Sequence, residues 1–365
     1  MKKFRFIGVI LIAALAFSFA ACNRGGGTTS PTSTGSPATV SAAPTTAVPV
    51  PAGPTSWIRA AVNPFDTSDF ILGVACGKNA DGGNRWVAGS ARGIMVYSDD
   101  GANWTVASNA SLGGSSFRSF AYGVNAGGSG RFVAGGEGGR LAYSDDGANW
   151  TAVENSPFGN YTVRAIAYGN GRFVAGGNNG SMVYSADGVT WTAVANTTFG
   201  TNMIAGVTYA DNRFVACGAT GKMAYSADGV TWTAFETSPF GSFTIYTIVY
   251  ANNRWVAGGG LGKTAYSTDG GRSWTEVDAS NVFGTGPTEY ISVIAYGVNA
   301  QGTGRFIAVG TSGQLGYSAD GARWTAENSG FGTSTIWGIA FAAAGSAGSR
   351  VVAVGEGGQI AYEDW

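Results

Sequence analysis

Four side chains that break an otherwise repeated pattern carry the recognition chemistry of this 365-residue chain: Arg118, Arg164, Tyr246 and Trp337. Two guanidinium groups can grip an acidic group through paired N–H donors, and Tyr and Trp can stack on a sugar ring. All four belong to one row of equivalent positions, each four residues before the aromatic or Cys that ends an apolar segment. The row reads Leu72, Arg118, Arg164, Ala205, Tyr246, Ser292 and Trp337. Arg118, Arg164, Tyr246, Ser292 and Trp337 therefore form a candidate site for an acidic or sugar ligand. The same side chains could instead plug a narrow channel, and the sequence leaves both readings open.

Composition closes many other chemistries. With no histidine there is no Ser-His-Asp triad, no His general base and no His-ligated metal, so neither a metal nor a cofactor is expected. Lys2, Lys3 and Arg5 lie in an N-terminal leader. Without these three of the 21 basic residues, 18 face 22 acidic ones, a balance of −4 that lacks the positive footprint of nucleic-acid binding. Beyond Cys22 the chain has only Cys76 and Cys217, in the first and fourth repeats. Placed nearly across a ring from each other they cannot bridge, and they are expected to be buried free thiols.

The elements that must position the row come from one phrase used seven times: an R-[FW]-[VI]-A-like strand, a Gly-containing turn, then a Tyr, followed in the first six copies by S-x-D-G and a Trp. Its tyrosines are Tyr97, Tyr143, Tyr184, Tyr225, Tyr266, Tyr317 and Tyr362. Repeats of this length holding about four short strands predict an all-β fold, a seven-bladed β-propeller of four-stranded blades. A typical blade is expected to run through an inner strand over 161–168, then 172–176 and 182–185, to an outer strand over 191–194. The last repeat lacks its outer strand, while Ser56-Trp57-Ile58 matches Ser273-Trp274-Thr275. Residues 55–61 are therefore expected to complete the seventh blade and close the ring. In this geometry the row lies early in each inner strand, near one mouth of the central channel.

The turn Ser98-Asp-Asp100-Gly101-Ala-Asn-Trp104 recurs around Asp146, Asp187, Asp228, Asp269 and Asp320. Ser and Asp oxygens suit a hairpin turn by accepting backbone N–H groups, and Gly permits positive φ. The motif resembles the Asp-box, or BNR repeat, of sialidases and other secreted propellers. Ser267 to Trp274 fits the family spacing, whereas the other copies are one residue shorter after the glycine. The resemblance implies that these aspartates are structural. It also implies two functional readings for residues 55–365. Sialidase-like glycoside hydrolysis would use Arg118, Arg164 and Tyr246 with carboxylates such as Glu154 or Glu236, but the seventh blade and the lack of an Arg-Ile-Pro signature depart from sialidases. Seven-bladed photosystem II assembly factors, which hold protein partners and catalyse nothing, are the other resemblance.

Other repeated residues read as scaffold. Arg85, Arg131, Arg172, Arg213, Arg254, Arg305 and Arg350 open the second strand of every blade and are expected to satisfy turn carbonyls or carboxylates. Phe65, Phe158, Phe199, Phe240, Phe283 and Phe331 read as wedges between blades. The turn between the first two strands is longer in the first, second, sixth and seventh blades, at 78–84, 124–130, 298–304 and 343–349, a crest that offers a docking edge or records duplication.

Residues 1–21 combine basic residues with an apolar run from Phe6 to Phe19, the pattern of a secretory signal. Phe19-Ala20-Ala21-Cys22 resembles a bacterial lipobox, which implies a lipid on Cys22. Residues 22–54 are rich in Gly, Ser, Thr and Pro and form a flexible tether of roughly 30 Å. The sequence thus predicts an exported, membrane-anchored cell-envelope lipoprotein. Its propeller is expected to be a monomer and a non-enzymatic binding or scaffold module, presenting its top face to a protein or glycan partner. Glycoside hydrolysis and a purely structural surface role are the alternatives.

Overall fold

A computed structural model describes residues 57–109, 112–124, 128–299, 301–342 and 350–365. The leader, Cys22, the tether and the turn at 343–349 lie outside the described residues. Seven four-stranded antiparallel sheets form the blades of a propeller. In the third blade the strands run Val163–Gly169, Arg172–Gly177, Met182–Ser185 and Thr192–Ala193, ordered from the channel outwards. The inner strand starts two residues later than the sequence suggests, because Tyr161 belongs to the preceding turn, where its N–H donates to the Phe158 carbonyl.

Second strands are buried along nearly their whole length, as in Arg172–Gly177 and Arg213–Gly218. Each is covered on both faces by neighbouring blades, which is why Phe-Val-Ala-Gly reads as one unbroken apolar run and not as an alternation. The wedges Phe158, Phe199, Phe240, Phe283 and Phe331 are all buried where the chain enters each blade, with Phe65 at the first. Leu112 takes that place in the second blade. The Cys76 and Cys217 thiols are unbridged and buried, and burial pushes both up to about 12.

The ring closes through the start of the described chain. Ile58–Arg59 pairs antiparallel with Ile360–Asp364, with Ile58 opposite Tyr362 and Arg59 opposite Ala361. That strand completes the sheet of Ile336–Phe341 and Arg350–Gly355. Trp57 seats in the core between the sixth and seventh blades beside Ile307, Leu315 and Phe331.

Every repeated turn is held by its own side chains. Ser98 Oγ accepts the Gly101 N–H at 2.8 Å and donates to Asp100 Oδ1 at 2.9 Å, while that oxygen accepts the N–H groups of Ala102 and Asn103 at 2.8 Å each. Trp104 Nε1 then donates back to the Gly101 carbonyl at 3.1 Å. The arginines join blade to blade. Arg85 Nη1 donates to the carbonyl of Asp146 at 2.8 Å and Arg131 Nη1 to that of Asp187 at 2.7 Å. Arg172, Arg254 and Arg350 reach the carbonyls of Asp228, Asp320 and Asp100 in the same way, and Arg213 reaches Gly270 O at 2.8 Å. Arg305 instead meets the carboxylate of Glu363 at 2.5 Å, because the seventh blade has Glu363 where the others have the turn Ser. Each guanidinium also lies over the third-strand Tyr of its own blade, at 4.1 Å for Arg350 and Tyr362. All seven seams therefore carry one arginine stitch.

Candidate functional site

The innermost strands position the candidate residues through one recurring irregularity. In each blade the pairing of the first two strands slips at a single residue: between Ile71 and Gly73, Phe117 and Ser119, Val163 and Ala165, Ile204 and Gly206, Ile245 and Thr247, Ile291 and Val293, and Ile336 and Gly338. The residues skipped are Leu72, Arg118, Arg164, Ala205, Tyr246, Ser292 and Trp337. Each is the extra residue of a β-bulge, freed from the ladder and re-aimed.

All seven line one cavity of ≈490 Å³ at that end of the channel. The structure thus brings together Arg118, Arg164, Tyr246, Ser292 and Trp337 as the row predicts. It adds Tyr290 and Met203, two residues upstream of Ser292 and Ala205. The equivalent positions elsewhere read Phe70, Ser116, Thr162, Thr244 and Thr335, so Tyr290 also breaks a repeat and the same test applied two residues earlier finds it.

The mouth is divided by chemistry. Blades two and three contribute Arg118 and Arg164. Arg164 Nε donates to Asn178 Oδ1 at 2.7 Å, and an Arg118 Nη lies 3.6 Å from the exposed Glu137 carboxylate. Burial lowers the basicity of both guanidiniums; the charge of Arg164 lowers Arg118 further, with Glu137 opposing. Blades five to seven contribute an aromatic ladder, with Tyr246 and Tyr290 centroids 5.1 Å apart and Tyr290 and Trp337 6.0 Å apart. Burial, then Tyr246 and Glu356, push the Tyr290 hydroxyl up to about 12. Ser292 is committed to its neighbours, since its Oγ reaches Ile336 O at 2.5 Å and Val309 O at 3.0 Å. Arg118 Nε and Trp337 Nε1 are buried without a hydrogen-bond partner. These two atoms are sealed within the wall, so what the cavity offers a ligand is the guanidinium ends of Arg118 and Arg164 and the faces of the aromatic rings.

Three comparisons bear on this geometry. The family described as the DUF6242 beta propeller domain matches residues 131–242. No curated protein matches the sequence. Among solved structures, YCF48 bound to D1 peptide is similar at 18% identity and a TM-score of 0.61, covering 87% of this chain and 98% of that one. A GH74 enzyme from Niastella koreensis is similar at 19% identity and a TM-score of 0.57, covering 82% of this chain and 43% of that one. The WD40 propeller domain of Doa1 is similar at 11% identity and a TM-score of 0.61, over 84% and 96%. At these identities the likeness shows the propeller fold.

The carboxylates needed for glycoside hydrolysis lie elsewhere. No Asp or Glu is among the described residues that line the cavity, and Glu236 lies at the outer rim beside Arg213 and Phe235. Glu236 therefore does not stand with Arg118, Arg164 and Tyr246 as the sialidase-like reading requires. No group of three His, Cys, Asp or Glu among the described residues is placed to hold a metal ion, and no described helix is long and apolar enough to cross a membrane.

The far half of the channel is lined by Tyr122, Tyr168, Tyr209, Tyr250, Tyr296 and Phe341. Each of these tyrosines packs on a second-strand ring of its own blade, such as Tyr168 on Phe173 at 4.7 Å, so this aromatic ring is scaffold. Of the longer turns, 78–84 is described throughout, and 124–130 and 298–304 in part. Lys78 pairs with Asn84, Val124 with Gly130 and Val298 with Gly304, so part of the extra length extends the hairpin ladder itself.

Proposed function

We propose that this propeller is a non-catalytic binding module that takes an acidic group of a protein partner into the mouth of its channel. The observation that carries the reading is the convergence of Arg118 and Arg164 with the Tyr246, Tyr290 and Trp337 ladder on one cavity. Guanidiniums favour carboxylates through charge-assisted bonds, and the aromatic wall accepts the apolar body attached to them. A protein is preferred to a glycan because one structural neighbour is described with a peptide bound. Glycoside hydrolysis needs two carboxyl groups at the substrate, and the cavity lining supplies neither. The module is exported and tethered through a lipid on Cys22, and the repeated aspartates keep the blades in register.

The test uses two pools of randomised eight-residue peptides, one with free C-terminal carboxylates and one amidated, passed over the immobilised protein. Retention is expected to be enriched in acidic peptides and to fall at least tenfold in Arg118→Ala/Arg164→Ala, with the melting temperature kept. Undiminished retention by a folded double variant would move the site elsewhere. Retention of sialylated or neutral glycans in place of peptides would make the protein a lectin.

A further inference from the structure

Two of the seven seams depart from the common pattern, the one at Glu363 and the one between the fourth and fifth blades. In five blades the turn glycine packs against the second-strand Val of the preceding blade. A Cβ added at Gly101, Gly147, Gly188 or Gly229 would stand 2.7 to 2.9 Å from Val352, Val87, Val133 or Val174, and Gly321 meets Val256 in the same way. In the fifth blade the turn carries an additional residue, Ser267-Thr-Asp269-Gly270-Gly271-Arg272-Ser273-Trp274. Its glycines contact Arg213 and the ring of Phe235 instead of Val215. Both have positive φ, 78° at Gly270 and 84° at Gly271, which a side chain would strain. The turn has moved outwards, and an open groove of ≈800 Å³ lies between the fourth and fifth blades, at the end of the blades opposite the channel mouth.

The groove has both parts of a sugar-binding surface. Phe235, where the other blades carry Ala, Val or Glu, stands edge-to-face with Tyr225 at 5.0 Å and is only partly buried. Around it lie Asp211 and Glu236, both exposed, with Arg213 and Arg272. The groove's remaining carboxylate, Asp269, is occupied within its own turn by Ser273. At the other seams arginine Nε is in several cases tied to a carboxylate, as Arg85 is to Asp99 and Arg131 to Asp145. Here Arg213 Nε is buried and unmet, and the nearest carboxylate, Asp211, stands 3.7 Å from Nη2.

From this geometry we infer that the seam between blades four and five is a second binding site, for a neutral hexopyranose unit of a glycan. Asp211, Glu236 and Asp269 against Arg213 and Arg272 leave the groove with one net negative charge, which disfavours an acidic ligand and is indifferent to a neutral one. Sugar hydroxyls are both donors and acceptors, and they pair with the exposed Asp211 and Glu236 as well as with the exposed Arg272. The apolar face of the ring covers Phe235. An acidic ligand would leave the two carboxylates opposed to its own charge. The inference is independent of the channel mouth.

The test titrates the protein with cellotetraose, chitotetraose, mannotetraose and an oligoglucuronate, read by calorimetry and saturation-transfer NMR. At least one neutral tetraose is expected to bind, with affinity falling tenfold or more in both Phe235→Ala and Glu236→Gln and unchanged in Arg118→Ala. Glu236 is exposed, so its substitution leaves the fold intact even where loss of the Phe235 ring does not. Silence from all three neutral probes overturns the inference. So does preference for the oligoglucuronate, binding that survives Glu236→Gln, or binding that is lost in Arg118→Ala.

Discussion

Replacing Trp57 with Ala tests whether the ring depends on the strand that closes it. Trp57 is 7% exposed and contributes its indole to the core of Ile307, Val309, Leu315, Phe331 and Ile336, whereas the next residue, Ile58, is 49% exposed. Most of the strand's apolar stabilisation therefore resides in this one ring. Truncating a buried Trp to Ala costs about 3–5 kcal/mol through lost burial and the cavity left behind. At an m-value near 3 kcal/mol/M the urea midpoint falls by about 1–1.7 M. Trp57→Phe separates packing from hydrogen bonding: Nε1 has no partner, so Phe forfeits no bond and is expected to cost less than about 1.5 kcal/mol. Equilibrium unfolding followed by tryptophan fluorescence and far-UV circular dichroism measures both variants. A Trp57→Ala protein within about 1 kcal/mol of the parent would refute the reasoning, since the seventh blade would then stand without its outer strand.

Acid should loosen the turns. Burial pushes the carboxyls of Asp100 and Asp228 up, but hydrogen bonds from Asn103 and Ala102 to the first, and from Thr231 and Val230 to the second, outweigh it and hold both at about 2. A depressed carboxylate stabilises the fold above its unfolded value of about 3.9. That stabilisation is lost as pH falls from about 4 towards 2, so the melting temperature should decline across this window, and less steeply in Asp100→Asn/Asp228→Asn. A flat profile down to pH 2 would count against the turn aspartates as stabilisers. Glu363 has the opposite sign: burial raises it to about 7 although Arg305 opposes, and burial also raises Glu327 nearby. The folded state then holds a proton that the unfolded chain releases, so stability should fall as pH rises from about 4.5 to 7. Glu363→Gln should flatten that slope, and an unchanged slope would show that Glu363 is ionised throughout.

Much of the scaffold was legible because its determinants are local. A Ser-x-Asp-Gly turn makes its own hydrogen bonds within a few residues, and Arg at the head of a strand reaches one neighbouring turn, so residue types at fixed spacing predict both. Closure was legible from the match of Trp57 to the other outer-strand tryptophans. The bulges were not legible. A bulge is a slip between two strands, and the skipped positions carry Leu, Arg, Ala, Tyr, Ser and Trp, with no shared side chain to announce it. Sequence placed the row at the mouth by counting from Tyr168 and its equivalents, without the reason those side chains leave the sheet. Tyr290 was missed because it precedes the strand, and Glu236 stands apart from the row because it follows an outer strand, Thr233–Ala234, and lines the rim groove.

The bulges also explain why the channel mouth holds the chemistry. A residue in the ladder of a second strand must be small or apolar, since a blade covers each face, and even one changed turn shifts a whole seam, as the fifth blade shows. A bulged residue pairs with nothing across the strand and faces solvent in the channel, so Leu, Arg or Trp can stand there at little cost to the sheet. Seven such positions at one height of seven inner strands point at a common space. Adjacent blades then place like chemistry side by side, with Arg118 beside Arg164 and Tyr246 joined to Trp337 through Tyr290. Polarity across the mouth follows from blade order alone, and the proposed acidic partner would turn its anionic end to blades two and three and its apolar body to blades five to seven.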